Sequence, residues 1–133
     1  MTDIEPPLHQ TLLYPDEVFL VQGAVFEVYR TMGAGFLEAV YQECLSVEFA
    51  ERDIPFSAFR SLALDYKGRR LKQTYTADFV CFDKILLELK AARDLAPGHR
   101  AQTLNYLRAT GLRLGLLINF GATPRVKIER FAL

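Results

Sequence analysis

Apolar residues return at helical spacing from Val18 through Val21, Val25 and Val28 to Met32. Pro15, Asp16 and Glu17 stand ahead of them, a proline for the first turn and two acids for the positive end of the dipole. The spacing therefore predicts a helix that starts there and stops at Gly33. Beyond Gly33-Ala34-Gly35 a second helix is predicted from about Phe36 to Arg52. Its apolar stripe is Leu37, Val40, Tyr41, Cys44, Leu45 and Phe49, with Glu43, Glu48 and Glu51 mostly off it, and Asp53-Ile54-Pro55 ends it. Phe56 to Tyr66 reads as a strand, Lys67-Gly68-Arg69 as a turn, and Leu71 to Phe82 with Ile85 to Ala92 as a hairpin. Pro97-Gly98 punctuates the chain before a third helix, from about His99 to Thr110. Leu112 to Phe120 is an apolar run of the kind buried on both faces of a sheet. After a turn from Gly121 to Pro124, Val126, Ile128 and Phe131 alternate with Lys127 and Arg130 as a last strand. The order α-α-β-β-β-α-β-β predicts an α/β fold: one mixed central sheet flanked by helices over residues 15–133, with residues 1–14 as a flexible leader.

Composition narrows the class. A chain of 133 residues, half of them apolar, makes one domain with a substantial core and is not disordered. No apolar run is long enough to span a bilayer, and the acidic, proline-containing N-terminus lacks both the basic and the apolar region of a signal peptide. Cys44 and Cys81 sit inside apolar patterns without the spacing of a disulfide framework or a zinc site, so they read as buried thiols of a cytoplasmic protein. Formal net charge is zero, yet residues 1–59 carry two basic side chains against ten acidic, and residues 60–133 carry fourteen against six. The neutral total argues against strong non-specific DNA binding. The asymmetry has two readings: an anionic partner for the basic half, or attraction between the two halves within the fold.

Asp78 interrupts the first strand of the hairpin, and Glu88 and Lys90 interrupt the second, among Ile85, Leu86, Leu87 and Leu89. Charged side chains are rarely buried unless paired or holding a metal. Glu88 and Lys90 share a face because strand side chains alternate, and Asp78 joins them only in one register. A two-residue loop at Asp83-Lys84 sets the two carboxylates on opposite faces. A three-residue connection or a bulge sets them on one face, and is the arrangement predicted here. Two carboxylates beside an ammonium suit a hard divalent cation and a phosphodiester: the acids give oxygens to Mg²⁺, the ion activates water, and the lysine offsets developing charge. Solvated charges on the open face of an antiparallel sheet are the plainer account of the same residues.

Other positions say less. Glu38 opens the second helix just after two glycines, where it serves the helix dipole or brings a third carboxylate to the hairpin. Gln102 and Tyr106, four apart on the third helix, share a face from which they could reach a phosphate or the carboxylates. Arg93, Arg100 and Arg108 are candidates for phosphate contacts. His9 and His99 have no partner at metal-ligand or triad spacing, and no glycine-rich phosphate loop or serine or cysteine nucleophile motif occurs.

Together these residues resemble a known pattern. Gly35-Phe-Leu-Glu38-Ala-Val-Tyr41 matches the Gly-x-x-Glu-x-x-Tyr signature of the GxxExxY family, which is assigned to the PD-(D/E)XK nuclease superfamily. Asp78 with Glu88-Leu89-Lys90 matches its metal-binding motif, Gln102-Thr-Leu-Asn-Tyr106 matches the Gln-x-x-x-Tyr motif of RecB-like nucleases, and Leu116-Leu117-Ile118-Asn119-Phe120-Gly121 is also similar to this family. Ala77 stands where the superfamily's name has a proline. The resemblance covers residues 16–131 and implies a restriction-endonuclease-like αβββαβ core. It implies Glu38, Asp78 and Glu88 as acidic site residues, with the Leu89 carbonyl as a further metal ligand. Lys90 would be the catalytic lysine, and Gln102 and Tyr106 would organise the site. The expected activity is phosphodiester hydrolysis dependent on Mg²⁺ or Mn²⁺, on DNA in preference to RNA and without membrane association. The alternative is a catalytically inactive nuclease fold acting as a nucleic-acid-binding or interaction subunit. A homodimer acting on paired strands is a third arrangement open to so short a chain.

Overall fold

Val18, Val21, Ala24, Val25 and Val28 form the buried side of helix α1 (Pro15–Met32), which begins at the proline and ends where the Gly33 N–H donates to the Tyr29 carbonyl. The computed structural model describes residues 12–133, so residues 1–11 of the leader expected over residues 1–14 lie outside the described residues. Leu13 and Tyr14, which the sequence pattern assigns to that leader, pack against the core, and Arg130 donates to the Leu13 carbonyl at 2.6 Å. Helix α2 (Glu38–Glu51) buries Tyr41, Gln42, Leu45 and Phe49. Five strands follow: β1 (Phe56–Tyr66), β2 (Arg69–Cys81), β3 (Ile85–Lys90), β4 (Leu114–Asn119) and β5 (Lys127–Ala132), with helix α3 (Pro97–Thr110) between β3 and β4.

The strands lie in the sheet in chain order. All neighbours are antiparallel except β3 and β4, which run parallel from Ile85↔Leu114 to Lys90↔Asn119. A parallel pair needs a crossover, and α3 is that crossover. Strand β4 is buried along its whole length, as the unbroken apolar run predicts. Helices α1 and α2 cover one face, packing Val21, Val25, Leu45 and Phe49 against Phe79, Leu87 and Ile118. Helix α3 covers the other, where Leu107 meets Tyr75, Ala77, Val80 and Leu86. It lies close because Gly115 has no side chain: a Cβ there would stand 3.3 Å from atoms of both Leu107 and Thr103.

One departure from the regular sheet and one feature of the charge distribution matter for function. Strand β2 pairs with β3 only through Phe79↔Leu87, Val80↔Leu86 and Cys81↔Ile85, so its longer N-terminal part pairs with β1 alone. The β1–β2 ribbon therefore projects past the rest of the sheet. The charge asymmetry is also only lightly used within the fold. Of six ion pairs among the described residues, Glu17–Lys84 alone joins the acidic and basic halves of the sequence. No helix among the described residues is long and apolar enough to cross a membrane.

Candidate active site

The connection between β2 and β3 is Phe82-Asp83-Lys84, with Phe82 (φ 55°) and Asp83 (φ 59°) in the left-handed region. This is the three-residue connection that the sequence predicts. Continued by one residue, the register sets Asp78 opposite Glu88. There the backbone ladder gives way to side chains. The Asp78 N–H donates to Glu88 Oε1 at 3.4 Å, and the Leu89 N–H donates to Asp78 Oδ2 at 2.7 Å.

The other side of β2 breaks at the same place. Phe59, opposite Asp78 on β1, has φ 53° and drops out of the pairing between Ala58↔Phe79 and Arg60↔Ala77. A regular strand would put Ala77 and Phe79 on one face. Here Ala77 packs with the α3 cluster and Phe79 with the α1–α2 cluster, so β2 changes sides at Asp78. Gln42 from α2 takes the Asp78 carbonyl, its Nε2 donating at 2.9 Å.

Glu38 is the first residue of α2 and is exposed. It lines a cleft of about 230 Å³ together with Ala39, Gln42, Phe59, Asp78 and Leu89. The Tyr41 hydroxyl, which donates to the Gly33 carbonyl and accepts the Phe36 N–H, fixes the loop that delivers Glu38. The Tyr41 ring stacks on Phe120 with centroids 4.4 Å apart. That tie explains why α2 starts at Glu38 and not at the predicted Phe36. The tyrosine of the signature is thus a positioning residue.

Beyond Lys90 the chain is clamped from β4. Asn119 accepts the Ala92 N–H and the Gly121 N–H on Oδ1 and donates from Nδ2 to the Ala92 carbonyl. These bonds end β3 at Lys90, two residues short of the predicted Ala92. On the α3 side, the Tyr75 ring stacks on Tyr106 with centroids 3.5 Å apart. The Tyr75 hydroxyl is the one buried side-chain polar atom among the described residues with no hydrogen-bond partner. It lies near enough to Glu88 for each to perturb the other, yet outside hydrogen-bonding geometry.

The electrostatics follow from burial. Desolvation pushes the Glu88 carboxyl up to about 7, with the Asp78 charge adding and the Tyr75 hydroxyl and Lys90 opposing. Desolvation raises Asp78 as well, against the Leu89 N–H and Lys90. Burial, and after it Glu88, pushes the Tyr75 phenol far above its usual range. Lys90 is half-buried and has no ion-pair partner among the described residues.

The predicted residues therefore fall into three groups. Asp78, Glu88 and Lys90 meet where β2 and β3 part, and Tyr106 reaches them through Tyr75. Glu38 shares the cleft with Asp78, but no three His, Cys, Asp or Glu side chains among the described residues stand close enough to hold one metal ion. Glu38 arrives on a helix, across the cleft from the hairpin. Gln102 is exposed and makes no side-chain hydrogen bond among the described residues. Arg93 and Arg108 are exposed, and Arg100 is held by Glu129 in a two-pronged pair at 2.7 and 2.8 Å. Sequence reasoning missed Gln42 and Tyr75, which carry no motif of their own.

The family model described as the PD-(D/E)XK nuclease superfamily matches residues 15–131. The chain belongs to this superfamily. Among solved structures, the crystal structure of SSO0001 is similar, with a TM-score of 0.54 and 18% identity. The match covers 71% of this chain and 48% of that one, so the chain spans about half the length of SSO0001, and the likeness is one of fold. No curated protein sequence matches the chain. The five-stranded mixed sheet with its three helices is consistent with a restriction-endonuclease-like fold.

PD-(D/E)XK nucleases typically use divalent metal ions, and the residues present fit one. Asp78 and Glu88 each commit one carboxylate oxygen to a backbone N–H, leaving Asp78 Oδ1 and Glu88 Oε2 without a donor among the described residues. Two hard oxygen donors are what Mg²⁺ takes from a protein while keeping waters and substrate oxygens as its other ligands. The raised proton affinity of both acids and the orphaned Tyr75 hydroxyl mark the same spot as short of positive charge and of a polar partner.

Proposed function

We propose that this protein is a nuclease of the GxxExxY kind that hydrolyses phosphodiester bonds in DNA with Mg²⁺ or Mn²⁺, in the cytoplasm. One observation carries the reading: Asp78 and Glu88 cross-bond to each other's strands, and each keeps a free carboxylate oxygen beside Lys90. Asp78 Oδ1, Glu88 Oε2 and the Leu89 carbonyl are the atoms that would hold the ion. Such an ion supplies Lewis acidity, activating water and offsetting phosphoryl charge. Lys90 places an ammonium against the reacting phosphate, where its compact charge counts most as negative charge grows on oxygen. Glu38, across the cleft, orients water by accepting its hydrogen bonds. Tyr106 holds Tyr75 by stacking, and Tyr75 keeps solvent off the rear of Glu88. Gln102 lies on the exposed side of α3, where it can meet a bound phosphate.

The test is Glu88→Gln, assayed on single-stranded, double-stranded and branched DNA with Mg²⁺ or Mn²⁺. Metal-dependent cleavage is expected to fall by at least 100-fold while the far-UV spectrum and cooperative unfolding persist. Full activity in that variant would overturn the assignment.

A further inference from the structure

The cleft opens onto a surface that no helix among the described residues covers. Leu62, Leu64, Tyr75 and Ala77 turn one face of the β1–β2 ribbon toward α3. Side chains alternate along a strand, so the cross-strand pairs Ser61↔Thr76 and Ala63↔Thr74 turn the other way, and all four residues are exposed. The α1–α2 core takes only Phe79 and Cys81 from β2, so those helices stop short of Thr76. Small side chains pave this face from the cleft outward, and a basic end follows: Lys67, Arg69, Arg70 and Lys72, every one exposed. Arg70 is paired with Asp65 at 2.7 Å, and Lys67 stands 5.4 Å over the Tyr66 ring. Lys67, Arg69 and Lys72 have no carboxylate partner among the described residues.

We infer that this bare ribbon face is a docking platform for duplex DNA, which the basic end grips on one side of the cleaved bond. The inference rests on the nuclease reading of the cleft and adds where the substrate runs. Charge complementarity argues for the occupant, because among the described residues the basic half of the chain spends only Lys84 on the acidic half. Dimensions agree. Strand β2 bulges opposite the Ala63–Asp65 step, so the span is counted along β1: at about 3.3 Å per residue, Lys72 lies roughly 17 Å and Arg69 roughly 23 Å from Asp78. At about 1.7 Å of duplex axis per phosphate charge, those spans correspond to roughly 5 to 7 base pairs. A two-stranded ribbon fits the major groove of B-form DNA, about 12 Å wide, and the Ser, Ala and Thr side chains let the backbone come close. The deep, narrow major groove of A-form RNA excludes it.

The test combines Lys67→Ala, Arg69→Ala and Lys72→Ala in the full chain, leaving the Arg70–Asp65 pair and the cleft intact. Binding of fluorescent duplexes of graded length is measured in EDTA across a salt series, and steady-state cleavage in Mg²⁺. The slope of log K against log salt is expected to shrink by about 2 to 3, near 0.9 for each phosphate that the variant no longer neutralises. KM is expected to rise at least tenfold with kcat within threefold of the unaltered protein. Duplexes shorter than about 5 base pairs on the gripped side should bind the parent and the variant alike. An unchanged salt slope in a parent that binds duplex DNA would overturn the platform and leave the nuclease reading standing. A slope reduced equally on single strands would overturn the duplex assignment. Absence of cleavage by the parent, with the slope change intact, would instead overturn the nuclease reading and keep the platform. A parent that fails to bind any duplex overturns the platform outright.

Discussion

Glu88 makes the metal-free protein pH-sensitive in a definite direction. Its carboxyl is pushed up to about 7 in the folded protein, against an ordinary 4.5, because burial disfavours the charged form. The folded state therefore binds this proton more tightly than the unfolded state does. The stabilisation is complete below about pH 4.5 and is lost as pH rises through about 7, a fall of at most about 3 kcal/mol. Asp78 is raised as well and adds to the fall with the same sign. Urea midpoints from pH 4 to 8 in EDTA should trace this decline, and Glu88→Gln should flatten much of it. A midpoint that climbs across that range would contradict the burial of Glu88. At this scale the sequence is informative where a charge interrupts an apolar strand, as at Asp78, Glu88 and Lys90. It is silent on Gln42 and Tyr75. A glutamine inside a helix and a tyrosine inside a strand look ordinary until the broken ladder leaves the Asp78 carbonyl to one, and the Glu88 carboxylate beside the other.

At the scale of elements, the helices and strands were legible because each keeps one apolar face, and the errors lie at their ends. The second helix starts late and the third strand stops early. In both places a side chain captures the backbone: Tyr41, from the next turn of its own helix, on Gly33 and Phe36, and Asn119, 27 residues away, on Ala92. The face shared by Asp78 and Glu88 hung on one loop, and the three-residue connection settled it. The kink that turns β2 over at Asp78 has no such cue, since Phe59 gives no sign that it will adopt φ 53°. The clamp behind Lys90 can be tested directly. A Cβ on Gly121 would stand 2.4 Å from the Ala92 carbonyl oxygen and 2.6 Å from its nitrogen, so the segment after β3 must move. Gly121→Ala is expected to cost about 1 to 3 kcal/mol by overpacking. It should also lower kcat at least tenfold at temperatures where the variant is folded, by shifting Lys90. Calorimetry beside kinetics checks both, and a variant of parental stability and turnover would remove the clamp from the account.

Over the whole molecule, zero net charge conceals a division between an acidic and a basic half, with one ion pair across it among the described residues. Both readings of that division were open from the sequence, and among the described residues Glu17–Lys84 is the ion pair that joins the two halves. The sheet order was beyond reach, because which strand lies beside which depends on contacts across α3 and not on local pattern. That order has a consequence for how the protein comes into being. Strand β3 pairs along its whole length with β4, which the ribosome makes only after the whole crossover helix. A nascent chain thus exposes Glu88 and Lys90 before the strand that seats β3 on its second side exists. A fragment ending at Thr110 is expected to be inert towards DNA in Mg²⁺ and to unfold without cooperativity. Metal-dependent cleavage by that fragment would show that the acids need no such seat.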